Sequence, residues 1–372
     1  MQPDTQVRLL PEWEPNLELL ALWPFRHDVW RERAQPAQQQ VIELLQQALQ
    51  LGQQVWLGVH PRYLLQAYAT VPSNLQTRIV PLSYGDSWAR DLVPLWLCGA
   101  GTRAGRPQAL HYQFDAWQGL YPLSTADDGF GQRLAARLGL CVRTQTPVFE
   151  GGNLTHDGQG FGLMVLPNAN DKVRQRWRQH AHRQWGIREL HFVNSDVTGD
   201  ETGGHIDNLV LFVNANTAMV IGAAHCAPEH QALVTEVQQL VAQWQQAQAG
   251  RQVIELPALQ WLPTSAASMA SIRRQRGVLP RTAQRRYLAS YVNCVVLQQS
   301  VLVPQFGLPT DSVALAALQQ QLTGYQVVPI AADEMVLGGG GPHCMTALIP
   351  AGLRPHEFTR LPKISAPVDL TL

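Results

Sequence analysis

Short apolar runs rich in β-branched residues alternate with amphipathic stretches along nearly the whole chain, and this alternation restricts it to an α/β fold. Val41, Leu44, Leu45, Ala48 and Leu51 recur at helical spacing, Gly52 reads as the stop, and Gln53-Gln54-Val55-Trp56-Leu57 opens the next strand. The cycle repeats, with a helix around Gly131 to Leu138 and strands through Val148 and Met164-Val165-Leu166. A helix from Asp171 to about Trp185 follows, then strands near Leu209 to Val213 and Ala218 to Ile221. Next come a helix from Pro228 to about Gln248 and a strand at Val253-Ile254-Glu255. The last cycle has strands at Tyr291 to Leu297 and Val301 to Pro304, a helix from Asp311 to Leu322 and a strand at Val327 to Ile330. The repeat lies in the order of element types and not in residue identity. With no break in composition, residues 1–372 read as one domain.

Charge removes several function classes. The chain has 28 basic and 28 acidic residues, so no broad basic face for nucleic acid or anionic lipid is expected. No apolar run approaches the ~20 residues a spanning helix needs. Met1-Gln2-Pro3-Asp4 lacks the basic and apolar regions of a signal peptide, which makes a cytoplasmic location the expectation.

Five cysteines, Cys98, Cys141, Cys226, Cys294 and Cys344, form no Cys-x-x-Cys pair, so free thiols are expected rather than a zinc or redox centre. Cys98, Cys141 and Cys294 lie in apolar surroundings and read as small core hydrophobes. Cys226 follows His225, but its flanks read as a strand ending before a helix. Cys344 differs. It closes Gly338-Gly339-Gly340-Gly341-Pro342-His343-Cys344, a run expected to form a tight turn that lets a substrate approach the main chain and presents the thiol as a nucleophile. No Lys-Ser or Lys-Thr follows the glycines and no helix is indicated there, so a phosphate loop is a weak reading.

Three polar clusters interrupt the pattern at strand ends: Asp86-Ser87-Trp88-Ala89-Arg90-Asp91, Phe149-Glu150-Gly151-Gly152-Asn153, and Asp200 to Asn208 with His205 and Asp207. Two residues apart on an incipient strand, His205 and Asp207 would share a face. Carboxylates at Asp91, Glu150 and Asp207 around a thiol suit no acyl transfer, because they would oppose the developing oxyanion. They suit a guanidinium, a planar permanent cation whose paired N–H donors match carboxylates. Such a cation would also favour thiolate over thiol, whose unperturbed pKa is ~8.5.

Glu150-Gly151-Gly152, Gly204-His205-Ile206-Asp207-Asn208, Ser290-Tyr291-Val292-Asn293, Val303-Pro304-Gln305-Phe306-Gly307 and the glycine-rich His343-Cys344 closely resemble the agmatine deiminase and bacterial peptidylarginine deiminase family of guanidine-modifying enzymes. The likeness is nearly full length, from Trp23-Pro24 and Trp30-Arg31 through Trp88-Ala89-Arg90-Asp91 and Phe114-Asp115-Ala116-Trp117 to the terminal cysteine. It implies a five-bladed pseudo-symmetric α/β propeller of ββαβ units. It implies hydrolysis of a small-molecule guanidine, or of an arginine-containing peptide, to a ureido product and ammonia. In that reading Cys344 attacks the guanidinium carbon to give a thiouronium, Asp91 and Asp207 grip the nitrogens, His205 is acid and base, and Glu150 orients His205. Trp88 and Trp117 are candidate walls for the cation, and Glu201 a partner for the amine of agmatine. No metal or organic cofactor is implied, and because members of such families often associate, a homodimer is the expectation. Polyamine biosynthesis follows only if agmatine is the substrate.

Blander readings stand beside these. His205 and Asp207 could ligate a metal, although further ligands at suitable spacing are not evident. Asp91 could pair with Arg90, Glu150 could be a turn residue, and the tryptophans could be core. The sequence also departs from the agmatine deiminase pattern. Leu92-Val93-Pro94 stands for Thr-Gly-Pro, Gly203 for an asparagine, and Gly341-Pro342 for Asn-Ile. The segment with Arg273, Arg274, Arg276, Arg281, Arg285 and Arg286 is basic: either a solvated loop or a hint of a guanidine with an anionic group, such as free or peptidyl arginine. Amidino transfer would use the same residues, and a catalytically silent binding protein is the remaining class, opposed by the intact reactive set.

Overall fold

The end of the chain pairs with its beginning: in a computed structural model, which describes residues 7–99, 106–122 and 125–355, strand Thr346–Pro350 runs antiparallel to Leu17–Leu22. Leu17–Leu22 then pairs in parallel with Val55–Val59, and that strand in parallel with Ile79–Pro81. The crossover is helix Gln35–Gln50, which starts with a proline in its first turn and buries Val41, Leu44, Leu45 and Ala48 against the sheet. Each large apolar side chain so buried contributes about 1.5–3 kcal/mol.

Four more sheets repeat this order of an antiparallel pair, a helical crossover and a parallel strand. In the first, Leu95–Cys98 pairs antiparallel with Arg8–Leu9 and Gln108–Gln113, and Gln108–Gln113 pairs in parallel with Val142–Val148 across helix Phe130–Arg137. In the second, Phe161–Val165 lies between Thr155–His156 and Glu189–Val193, with helix Asp171–His180 crossing over. In the third, Thr217–Ile221 lies between Val210–Asn214 and Gln252–Leu256, with helix Gln231–Gln246. In the fourth, Ser300–Gln305 lies between Val295–Leu297 and Gln326–Ala331, with helix Asp311–Gln321. The chain is therefore α/β with mixed sheets. A two-stranded ribbon, Gln260–Leu262 with Tyr287–Ala289, brackets the arginine-rich segment.

Local differences from the sequence reading have physical causes. The strand expected from Tyr291 to Leu297 begins only at Val295, because Tyr291 to Cys294 are turned inward, with Ser290 Oγ donating to Asn208 O and Asn293 reaching Asp207 and Cys344. His205 and Asp207 do not share a strand face. A 3-10 turn, Ile206–Asn208, intervenes before Val210. The glycine run is not free of helix: Asp333–Gly338 is helical, and Cys344 sits on a second short turn, Pro342–Met345. Of the three cysteines read as core, only Cys294 is buried; Cys98 at a strand end is half-buried and Cys141, just before a strand, is exposed.

Candidate active site

The polar residues converge because the turns that carry them occupy the same place in different sheets, His205 and Asp207 sharing one turn. Single helical turns at Ala89–Leu92, Gly151–Asn153, Ile206–Asn208 and Pro342–Met345, and the non-helical turn at Asn293, each feed the first strand of a ββαβ unit. Asp91, Glu150, His205, Asp207 and Cys344 are carried on or beside these turns, so the structure brings all five together.

Gly152 is the hub. A Cβ there would lie 2.6 Å from His205 Nδ1, 3.1 Å from Asp91 Oδ1 and 3.2 Å from Asp207 Oδ2. Only a residue without a side chain permits this approach. The Gly152 amide donates to Asp91 Oδ1 at 2.8 Å, and Trp117 Nε1 donates to Asp91 Oδ2 at 2.9 Å. Trp117 achieves this from a left-handed turn in which Ala116, Trp117 and Gln118 all have positive φ, a strained conformation for residues with side chains. Arg90 does not pair with its neighbour Asp91. It reaches Glu12 at 2.6 Å.

His205 is buried, with Nδ1 3.8 Å from Asp91 Oδ2 and Nε2 3.6 Å from Glu150 Oε2. These are ion-pair rather than hydrogen-bond distances, and Nε2 has no hydrogen-bond partner among the described residues. Burial alone would lower the imidazole pKa, but Asp91, Glu150 and Asp200 outweigh it and raise it to about 10. Asp91 moves up, through burial and the charges of Glu150 and Asp207, against the pull of His205.

Cys344 Sγ lies 3.2 Å from Asn293 Nδ2 and 3.4 Å from Asp207 Oδ2. Burial, then the Asp207 and Asp91 charges, push its pKa well above the ordinary thiol value, so the group rests as a thiol. Asp207 is wholly buried. Its Oδ2 meets His343 Nδ1 at 2.8 Å, while Oδ1 has no hydrogen-bond partner among the described residues. Burial would raise its pKa, yet the hydrogen bond and charge of His343 hold it below the usual carboxylate range.

One pocket reaches the sulfur, and Asp91, His205, Trp88, Trp117, Glu201 and Arg281 share its lining with Cys344. Trp88 and Trp117 are buried yet present there. Glu201 is committed: Arg281 and Arg285 both bind Oε1, the latter through Nε at 3.0 Å. The arginine-rich segment thus divides. Arg273, Arg274 and Arg276 are exposed, Arg286 pairs with Glu229 at 2.6 Å, and Arg281 and Arg285 turn inward. Cys226 lines none of this pocket and donates to the Ala227 carbonyl.

Sequence reasoning assigned no role to Asn293, Glu12 or His343, and read Arg90 only as a possible partner of Asp91. Asn293 and His343 lay inside recognised motifs, whereas nothing local distinguishes Glu12 within Pro11-Glu12-Trp13.

A buried thiol, an imidazolium and carboxylates around one hollow can hold a planar cation and add sulfur to it. Residues 8–350 match the family model described as Porphyromonas-type peptidyl-arginine deiminase. A Yersinia pseudotuberculosis protein named "Putative agmatine deiminase" is 30% identical over 355 residues, covering 91% of this chain and 94% of that protein. Among solved structures, the agmatine deiminase of Enterococcus faecalis superposes with a TM-score of 0.83 at 22% identity, covering 92% of this chain and 96% of its own. The C. jejuni agmatine deiminase with substrate bound gives 0.72 at 18% identity, covering 94% and 98%. At these identities the structures speak to the fold.

Proposed function

The chain belongs to the Porphyromonas-type peptidyl-arginine deiminase family, and from that premise we propose that it hydrolyses the guanidinium group of agmatine or a related arginine derivative to a ureido product and ammonia. The observation that carries this reading is a set of paired acceptors beside Sγ of Cys344: Asp91, which lines one hollow with Cys344 and His205, and Asp207, wholly buried with Oδ1 unbonded among the described residues and Oδ2 3.4 Å from the sulfur.

The chemistry follows from the charges. A bound guanidinium places a cation beside a thiol that burial, then Asp207 and Asp91, hold protonated, so the substrate itself offsets the barrier to thiolate formation. The thiol gives its proton to solvent as sulfur bonds to the guanidinium carbon, giving a neutral tetrahedral adduct. Protonated His205 supplies a proton to one nitrogen, the carbon–nitrogen bond breaks, and ammonia leaves behind a thiouronium. Water, deprotonated by His205, adds to the same carbon; the carbon–sulfur bond breaks and the hydroxyl proton passes to the departing sulfur, leaving the ureido group and restoring the thiol. Glu150, near Nε2, favours the protonated imidazole, while Trp88 and Trp117 supply aromatic walls.

A second substrate is favoured by one observation. Glu201 is already bound by Arg281 and Arg285, and Arg281 reaches the pocket, so this acid is engaged before an agmatine amine arrives and a guanidinium stands in the same wall. Arginine, or a peptide with an arginine carboxylate nearby, fits that wall. The test is a panel of agmatine, free arginine and arginine peptides assayed for ureido product without added amine. Product from at least one supports hydrolysis, and product only when an amine acceptor is added indicates amidino transfer. Ammonia or ureido product from none would sink the reading.

The five larger sheets, alike in order and crossover, support a five-bladed α/β propeller of ββαβ units as one domain over residues 1–372. Five unpaired thiols suit a reducing cytoplasm, and no helix among the described residues is long and apolar enough to cross a membrane. Homodimer formation and a place in polyamine biosynthesis belong to the same reading, the latter only if agmatine is used.

A further inference from the structure

A carboxylate 3.4 Å from a nucleophilic thiol is a liability, since its charge opposes the thiolate the reaction requires. The structure places a counterweight behind it. His343, next to the nucleophile in sequence, aims its ring away from the pocket. Its Nδ1 meets Asp207 Oδ2 at 2.8 Å and its Nε2 meets Glu12 Oε1 at 2.8 Å, and Glu12 continues to Arg90 at 2.6 Å. The backbone is fixed as well. The His343 amide donates to Asn293 Oδ1 at 3.0 Å, and the His343 carbonyl accepts from Arg90 Nε at 3.4 Å. The result is a row running from buried Asp207 and His343 to half-buried Glu12 and Arg90 that alternates in sign and sums to zero when His343 is protonated.

We propose that His343 is a positioning residue for deimination: as a cation between Asp207 and Glu12 it occupies Asp207 Oδ2, leaves Oδ1 for the guanidinium, and offsets the carboxylate charge felt by the Cys344 sulfur. The geometry requires a donor at both ring nitrogens, because each faces a carboxylate oxygen. The groups facing His343 agree. Burial and Arg90 work against protonation, while Glu12 and Asp207 favour it and prevail. Glu12 is held near 2, where burial is outweighed by Arg90 and His343, with His156 adding to them. His205 and Arg90 also act on Asp207 to keep it charged, and Asp91 is the second acid acting on the thiol.

The inference rests on the proposed role of Cys344 as nucleophile, but its test needs no turnover. The pH dependence of iodoacetamide labelling is followed at Cys344 by peptide mass spectrometry, which separates this site from the exposed thiols. In His343→Gln and His343→Asn, which keep a donor but carry no charge, the Cys344 titration midpoint should rise by about one unit or more. A purely structural contribution would lower thermal stability without moving that midpoint. In the wild-type protein, the His343 ring signals in a histidine NMR titration should remain those of imidazolium through pH 8. A midpoint unchanged in a folded variant, or a wild-type His343 that titrates near its ordinary ~6.5, overturns the proposal. If both variants fail to fold, the wild-type titration decides. Labelling that follows the prediction while no guanidine is turned over would leave His343 as assigned and remove the hydrolase reading instead.

Discussion

Cys344 Sγ lies 3.4 Å from Asp207 Oδ2 inside a fully buried cluster, so the sulfur keeps its proton until a positive charge arrives. Replacing Cys344 by serine leaves the carboxylates that would hold the cation and removes the polarisable nucleophile. Turnover of the best guanidine in the panel should fall by at least about a thousandfold, with substrate binding retained within about tenfold. Ureido product formation and calorimetric titration measure the two quantities.

The pH profile should separate free and occupied sites. In the free protein Cys344 titrates well above the ordinary thiol value, through burial and then Asp207 and Asp91, so kcat/KM should rise with pH into the alkaline range. It should fall again as His205 loses its proton near 10. With a guanidinium bound, the two carboxylates are offset, and the rising limb of kcat should stand at lower pH than that of kcat/KM. Coincident rising limbs would contradict substrate-assisted ionisation.

His205 also links pH to stability. Its folded value, about 10, lies above the unfolded 6.5, because Asp91 and Glu150 outweigh burial. The stabilisation is therefore complete below about pH 6.5 and is lost as pH rises through about 10. Thermal melting of the wild type should decline from pH 7 to 10 more steeply than that of His205→Gln.

Gly152→Ala would drive a methyl group into space shared with His205 Nδ1, Asp91 Oδ1 and Asp207 Oδ2. A displacement of about 1 Å at such a site can cost about a hundredfold. Activity should fall by about that much, with far-ultraviolet circular dichroism unchanged; activity within threefold of wild type would show that the three side chains need no such closeness.

Arg281 bears on the choice of substrate. It lines the pocket and shares Glu201 with Arg285. Arg281→Ala should raise the ratio of kcat/KM for agmatine to that for arginine by about tenfold or more, by leaving Glu201 with one arginine instead of two and removing a cation from the pocket wall. An unmoved ratio would mean that the substrate tail lies elsewhere.

Some of this was already legible in the sequence. Helices such as Gln231–Gln246 and strands such as Thr217–Ile221 are set by apolar spacing within a few residues, so their approximate bounds and the α/β class follow from local periodicity. The motifs around Asp91, Glu150, His205 and Cys344 are equally local, and their shared position ahead of a strand carries them to a common centre. Local pattern failed where the chain turns to serve that centre. Tyr291 to Cys294 has the composition of a strand, but Ser290 and Asn293 fold it inward. His205 and Asp207 meet through an intervening turn rather than through alternation.

What the sequence alone determined is the order of the polar motifs proposed to react and the alternation that builds repeated sheets, because both depend on neighbours along the chain. Tertiary structure alone decided which charges are already spent. Glu201 meets Arg281 from 80 residues away, and His343 meets Glu12 from 331 away, and only burial at low dielectric makes such distant pairs govern a proton on sulfur.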